Sequence, residues 1–139
     1  MSINNSPIFI AAPRVQSAIS NAASGRDGTT GNLFLLCTPG SNGSRIERIT
    51  AITTGTMSSP TSAMAIRIYI QNVDDLTNYL YREAVFPIVT PGTGIVGPNT
   101  TFNFNGGLCL GTQSKIYVGQ STFADADDRV SWTCELGDF

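Results

Sequence analysis

The side chains in this sequence best equipped for chemistry are its acids. Asp125, Asp127 and Asp128 stand in the run DADD just ahead of a strand-like segment. Alternate carboxylates in a loop can supply the oxygen ligands that calcium prefers. The run has neither the glycine turn nor the distal bidentate glutamate of an EF-hand, so a solvated acidic loop is the simpler reading. Asp74-Asp75 reads the same way, with a helix N-terminal position as a second option. Glu47, Glu83 and Glu135 could furnish the two carboxylates of a glycoside hydrolase, which lie roughly 5–10 Å apart. Their spacing along the chain brings no two of them together, and outward positions on strands commonly serve solubility.

Other chemistries are excluded by residue type. The chain has no histidine, which removes Ser-His and Cys-His nucleophiles and histidine-bound metals. No nucleophile elbow, phosphate-binding loop or dinucleotide fingerprint is present, and the glycine-rich run Pro91 to Gly97 lacks the Lys-Ser/Thr and helix start of a phosphate cradle. The three cysteines, Cys37, Cys109 and Cys134, form no C-x-x-C pair and read as reduced thiols acting as small apolar residues. We therefore expect no catalytic residues, no metal and no cofactor. A net charge of -2, with Lys115 the sole lysine and the arginines scattered singly, argues against a nucleic-acid partner. MSINNSPIFIAAP has no basic segment followed by a long apolar one, and no run approaches the roughly 18 apolar residues of a membrane helix. The expectation is a soluble product made in the cytosol, with no membrane partner.

The aromatic residues divide into two groups. Trp132 falls on the apolar parity of its segment and reads as core. Tyr69, Tyr79, Tyr81 and Tyr117 fall on less buried faces or edges, where they could stack on sugar rings or fill a subunit interface.

The elements that must carry these residues are strands. The 139 residues are only 13% charged, against roughly 25% in typical soluble proteins. Thr, Ser, Asn and Gly replace the missing charge, which favours strands and turns over helix interiors. Residues 1–13 read as an extended N-terminal arm or a first edge strand, because Pro13 removes an amide donor and biases Ala12 to an extended conformation. Its apolar island, Ile8, Phe9 and Ile10, is the candidate assembly contact. Val15 to Ser24 fits a short helix or a strand. Asn32 to Thr38 is apolar on both parities and suits a central strand. Ser44 to Gly55 breaks parity among Ile46, Ile49 and Ile52, which implies a bulge. In MAIRIYIQN, Ile66, Ile68 and Ile70 share one face and Arg67 and Tyr69 the other, the pattern of a half-buried strand. YLYREAVFPIV is a further strand that Pro87 places at an edge or a bend, and the Ile95-Val96 pair in the following loop is a possible contact. Phe102, Phe104, Leu108 and Leu110 share a parity, as do Ile116 and Val118, and Val130, Trp132, Cys134 and Leu136. The expected fold is all-β, an antiparallel two-sheet β-sandwich, jelly-roll-like, with about eight strands in a single domain over residues 14–139.

From Met64 onward, and above all in TFNFNGGLCLGTQSKIYVGQSTFADADDRVSWTCELGDF, the chain resembles the small β-rich virion proteins of tailed bacteriophages. Capsid decoration proteins, also called cement or head auxiliary proteins, are the nearest type. The resemblance rests on Phe102-Asn103-Phe104, the Gly-Leu-x-Leu step from Gly107 to Leu110, the strand Ile116-Tyr117-Val118, and the ending Leu136-Gly137-Asp138-Phe139. It implies a non-enzymatic protein of the capsid surface, synthesised in the host cytoplasm. Such a protein oligomerises, commonly as a homotrimer, and binds the major capsid protein lattice to hold neighbouring capsomers together. Head fibre, tail and adaptor positions are compatible with the same resemblance. A carbohydrate-binding β-sandwich module is the alternative, and would present Tyr69, Tyr79 or Tyr81 beside Asn and Asp.

Overall fold

Runs rich in Ile, Val, Thr and aromatic residues alternate along the chain with clusters of Gly, Asn, Pro and Ser. The former become strands because branched side chains pack well on a pleated surface. The structure, a computed structural model, describes residues 10–55, 60–74, 76–90 and 94–139. The strands are β1 (Ala12–Ser20), β2 (Phe34–Cys37), β3 (Ser44–Thr53), β4 (Met64–Gln71), β5 (Asn78–Phe86), β6 (Asn99–Leu110), β7 (Lys115–Gln120) and β8 (Val130–Asp138), with a 3₁₀ turn at Ala126–Asp128 before the last. They form two four-stranded sheets, ordered β1-β8-β3-β6 and β2-β7-β4-β5, and every neighbouring pair is antiparallel. Because β4 meets β5, β3 meets β6, β2 meets β7 and β1 meets β8, the chain is one long hairpin wrapped around a shared interior. That connectivity makes the expected all-β sandwich a jelly roll.

The interior follows from two-residue alternation. Val130, Trp132, Cys134 and Leu136 of β8 all point inward, facing Ile66 and Ile68 of β4 and Ile116 and Val118 of β7 in one apolar cluster. Fully burying one such aliphatic side chain contributes roughly 1.5–3 kcal/mol. In β3 the ladder slips between Ile46 and Arg48, and the bulge expected from the sequence lets Ile46 and Ile49 both enter the core. One polar network crosses this interior. Trp132 Nε1 donates to Ser20 Oγ at 3.0 Å, Ser20 Oγ donates to Gln120 Oε1 at 2.6 Å, and Gln120 Nε2 donates to the carbonyl of Asp128 at 2.7 Å.

One ambiguous segment is decided by the structure, and two others differ from their sequence reading. The segment that fitted a helix or a strand is strand β1, which starts at Ala12, pairs with β8 and forms an edge of its sheet, so the end of residues 1–13 takes the edge-strand alternative. Asn32 to Thr38 is not central. Its strand β2 is an edge of its sheet with Leu35 exposed; the ladder slips between Leu35 and Cys37, so Phe34 and Leu36 of one parity and Cys37 of the other all reach the core. The strand β4 is covered on both faces rather than one. The segment 21–33 lies over its outer side, where Tyr69 Oη donates to the carbonyl of Gly25 at 2.8 Å and Arg67 Nη1 to that of Ser24 at 3.1 Å. Tyr69 is therefore 0% exposed, a correction to its placement among the less buried tyrosines. Gly119 makes this approach possible, since any Cβ there would collide with the Ser24 hydroxyl.

The margin where β1 and β2 run side by side is closed by side chains. Thr38 donates its N–H to Gln16 Oε1 at 2.9 Å and accepts from Arg14 Nη2 at 2.6 Å. Arg14 also holds Asp138 through Nε and Nη2, at 2.8 and 3.0 Å. Hydrogen bonds from Arg14 and Ser44 hold the Asp138 carboxyl below the usual carboxylate range. Its proton thus binds the unfolded chain more tightly, so the stabilisation is complete at neutral pH and disappears as pH falls through that range. We expect Asp138→Asn to cost about 1–2 kcal/mol at pH 7 and to flatten the acid side of the stability curve, which urea titrations between about pH 7 and pH 3 would measure.

Candidate functional site

The covering segment 21–33 leaves the two sheets unequal. The outer side of β2-β7-β4-β5 is partly roofed, whereas among the described residues no segment covers the outer side of β1-β8-β3-β6, and its registers lay three rows of four residues across it. They are Val15-Glu135-Arg48-Asn103, Ser17-Thr133-Thr50-Thr101 and Ile19-Ser131-Ile52-Asn99. Alternation dictates this composition, because the other parity of the same strands is spent on the core. Val15 is 62% and Ile19 52% exposed. The two charged members neutralise each other: Arg48 grips Glu135 with both Nε and Nη2, the latter at 3.0 Å. The rest of the face is aliphatic, hydroxyl or amide.

Of the predicted assembly contacts, Ile8 and Phe9 lie outside the described residues. Ile10 is 38% exposed and seats against Gly137 at one end of the open face. There it joins Pro13, Val15 and Leu136 in a groove of about 420 Å³. Ile95 and Val96, the other suggested contact, are exposed as well.

Irregularities gather at the far margin, where β6 and β5 are the edges of their sheets. Opposite the bulge in β3, β6 departs from its ladder over Phe104 to Gly107, with Gly106 and Gly107 at φ 82° and 81°, a conformation that side chains other than glycine rarely adopt. In β5 the ladder slips at Tyr81, which turns Tyr81 and Arg82 toward Phe104. The Tyr81 and Phe104 rings stack with centroids 6.0 Å apart. The Arg82 guanidinium sits 5.4 Å from the Tyr81 centroid and 5.8 Å from that of Phe104. These residues line a cleft of about 310 Å³ together with Asn103, Asn105, Gly107 and Leu108. Sequence reasoning singled out Tyr81 but missed Arg82 and the two asparagines; the Gly106-Gly107 pair was the available signal for a distorted edge.

The acids part company. Glu47 and Glu135 do line one cleft, about 340 Å³ in volume, while Glu83 belongs to the other sheet. Glu47 is paired with Arg45 at 2.7 Å and Glu135 with Arg48; Glu83 pairs with Arg26 at 2.8 Å and Arg67 at 3.3 Å. The DADD run is not a solvated tip. Asp125 caps the 3₁₀ turn by accepting from Asp127 N, and Asp127 and Asp128 are buried. Asp128 accepts from Ser62 N at 2.6 Å and Ala124 N at 2.8 Å, which ties two loops to the end of β8. A loop that must be anchored inside the fold needs such an acceptor for its backbone donors. Among the described residues no group of three or more acidic or thiol side chains is placed to hold a metal.

The cysteines are free thiols, Cys37 and Cys134 buried in the core and Cys109 exposed. A hydrogen bond with Cys37, together with burial, pushes Cys134 far above the usual thiol range. Trp132 is core, as its parity required. Among the described residues no helix is long and apolar enough to cross a membrane. No protein-family model matches this chain, and no curated protein matches its sequence.

Removing the Asp128 carboxylate would leave two backbone donors without their acceptor. Asp128→Ala should therefore destabilise the fold by about 2–3 kcal/mol, read as a lowered midpoint in thermal or urea unfolding. Asp125→Ala removes a cap on a single turn and should cost about 1 kcal/mol or less.

Proposed function

We propose that this chain is a non-enzymatic viral structural protein, a capsid decoration or cement protein. In this reading it self-associates as a homotrimer and binds the major capsid protein lattice at the virion surface after synthesis in the host cytoplasm. The observation that carries the reading is the open face of β1-β8-β3-β6, with Val15, Ile19 and Ile52 exposed among hydroxyl and amide side chains and its charges paired internally, Arg48 with Glu135 and Arg45 with Glu47. Neutral polar groups are cheaper to desolvate than free charges, and strands present them on a rigid surface, so little ordering opposes association. Ile10 lies at the end of the same face, which is why the island Ile8, Phe9 and Ile10 is assigned to the same contact. The ion pairs of Glu47 and Glu135 support a non-catalytic reading, since each carboxylate is engaged by an arginine rather than poised for proton transfer.

Mass measurement under native conditions tests the self-association, and a trimer is expected. Burying one aliphatic side chain at an interface is worth roughly 1.5–3 kcal/mol. Ile19→Asp combined with Val15→Asp should therefore convert the trimer to monomer while leaving the unfolding midpoint nearly unchanged. Binding of the wild-type chain to assembled capsid shells, read by co-sedimentation, should fall with the same pair of substitutions. A strictly monomeric wild-type chain with no affinity for capsids would remove the proposal.

A further inference from the structure

The cleft between the β5 and β6 margins contains an arginine, Arg82, that no acid among the described residues engages. The other arginines near it are taken: Arg45 by Glu47, Arg48 by Glu135 and Arg67 by Glu83. Arg82 has no carboxylate partner among the described residues, and what fixes it is the pair of rings beneath it, Tyr81 at 5.4 Å and Phe104 at 5.8 Å. A guanidinium held through its face keeps its N–H edge available, and that edge matches a carboxylate with two parallel hydrogen bonds. Asn103 and Asn105 stand two residues apart on β6, both exposed, and both line the same cleft. Their amides offer donors and acceptors suited to hydroxyl groups. The half-exposed Tyr81 ring offers an apolar surface beside them. The distortions of β5 and β6 are what bring these groups together, since a regular ladder would place neighbouring residues on opposite faces. At about 310 Å³ the cleft has room for one or two sugar rings.

We propose that this cleft binds a carboxylate-bearing sugar residue of a glycan, with Arg82 gripping the carboxylate, Asn103 and Asn105 meeting hydroxyl groups, and Tyr81 packing against the sugar's C–H face. An acidic peptide would satisfy Arg82, but it lacks the row of adjacent hydroxyls and the flat C–H face that two amides beside an aromatic ring suit together. The site shares Asn103 with the open face but lies at its β6 margin, across the sheet from Val15 and Ile19, so it goes beyond the assembly role and does not depend on it.

Calorimetric titration of the full chain tests the assignment with trisaccharides of galacturonic and glucuronic acid, a neutral galactose trisaccharide and a glutamate tripeptide. An acidic trisaccharide should bind with a dissociation constant of roughly 0.1–1 mM. The neutral sugar and the peptide should each bind at least about tenfold more weakly. Arg82→Ala should abolish binding and Arg82→Lys should lose about tenfold, because an ammonium cannot form the paired contact. Both substitutions are at an exposed position, and unchanged circular dichroism would show that the fold persists. Failure of both acidic trisaccharides to bind at about 10 mM, undiminished binding by Arg82→Ala, or equal binding of the glutamate peptide would each overturn the proposal.

Discussion

A buried run of hydrogen bonds from β1 to β7 fixes how the two sheets meet. Ser20 at the end of β1 takes the indole proton of Trp132 and hands its own to Gln120 on β7, in the opposite sheet. Gln120 in turn donates to the carbonyls of Thr122 and Asp128. Apolar contacts are non-directional and would tolerate several offsets between the sheets, whereas a polar group sealed from water tolerates only the offset that satisfies it. With that offset set, the Asp128 carboxylate reaches Ser62 N and Ala124 N, and the loops at this end of the sandwich are tied down.

The same placement creates the difference between the two outer surfaces. The chain leaving β1 turns across β7 and β4, where Ser24 N donates to the carbonyl of Gln120 at 2.8 Å and Asn78 Nδ2 to that of Gly28 at 3.3 Å. Asp27 stabilises the crossing by accepting from Thr29 N and Thr30 N, contacts that hold its carboxyl below the usual range. One sheet is thereby roofed by its own chain. Among the described residues no comparable segment covers the other, and its three rows lie bare, which is the physical ground for the contact proposed there.

Alternation made much of this legible in advance. Ile66 and Ile68, Phe102 and Phe104, and the β8 series ending at Leu136 announced their inward faces, and the broken parity of Ile46 and Ile49 announced a bulge. Features that depend on distant segments were not legible. Nothing near Tyr69 in the sequence reveals that Gly25 will cover it, and nothing in DADD reveals that Asp128 will meet Ser62. The candidate cleft lies between these cases: Gly106-Gly107 signalled an irregular edge, but the approach of Tyr81 and Arg82 to Phe104 joins two sheets and has no local signature.

The wrapped hairpin has a consequence for how the molecule comes into being. Among the described strands only β4 and β5 are both consecutive in the chain and neighbours in a sheet, while β1 must find a partner more than a hundred positions away, as the pairing of Ala12 with Asp138 shows. Closing such large loops is slow relative to local pairing. During translation β1 and β3 wait with unsatisfied ladder edges until β8 has left the ribosome and slides between them. The nascent chain is thus exposed to edge-to-edge capture by its own siblings for most of its synthesis, and its yield would depend on temperature and chaperones more steeply than the finished sandwich suggests.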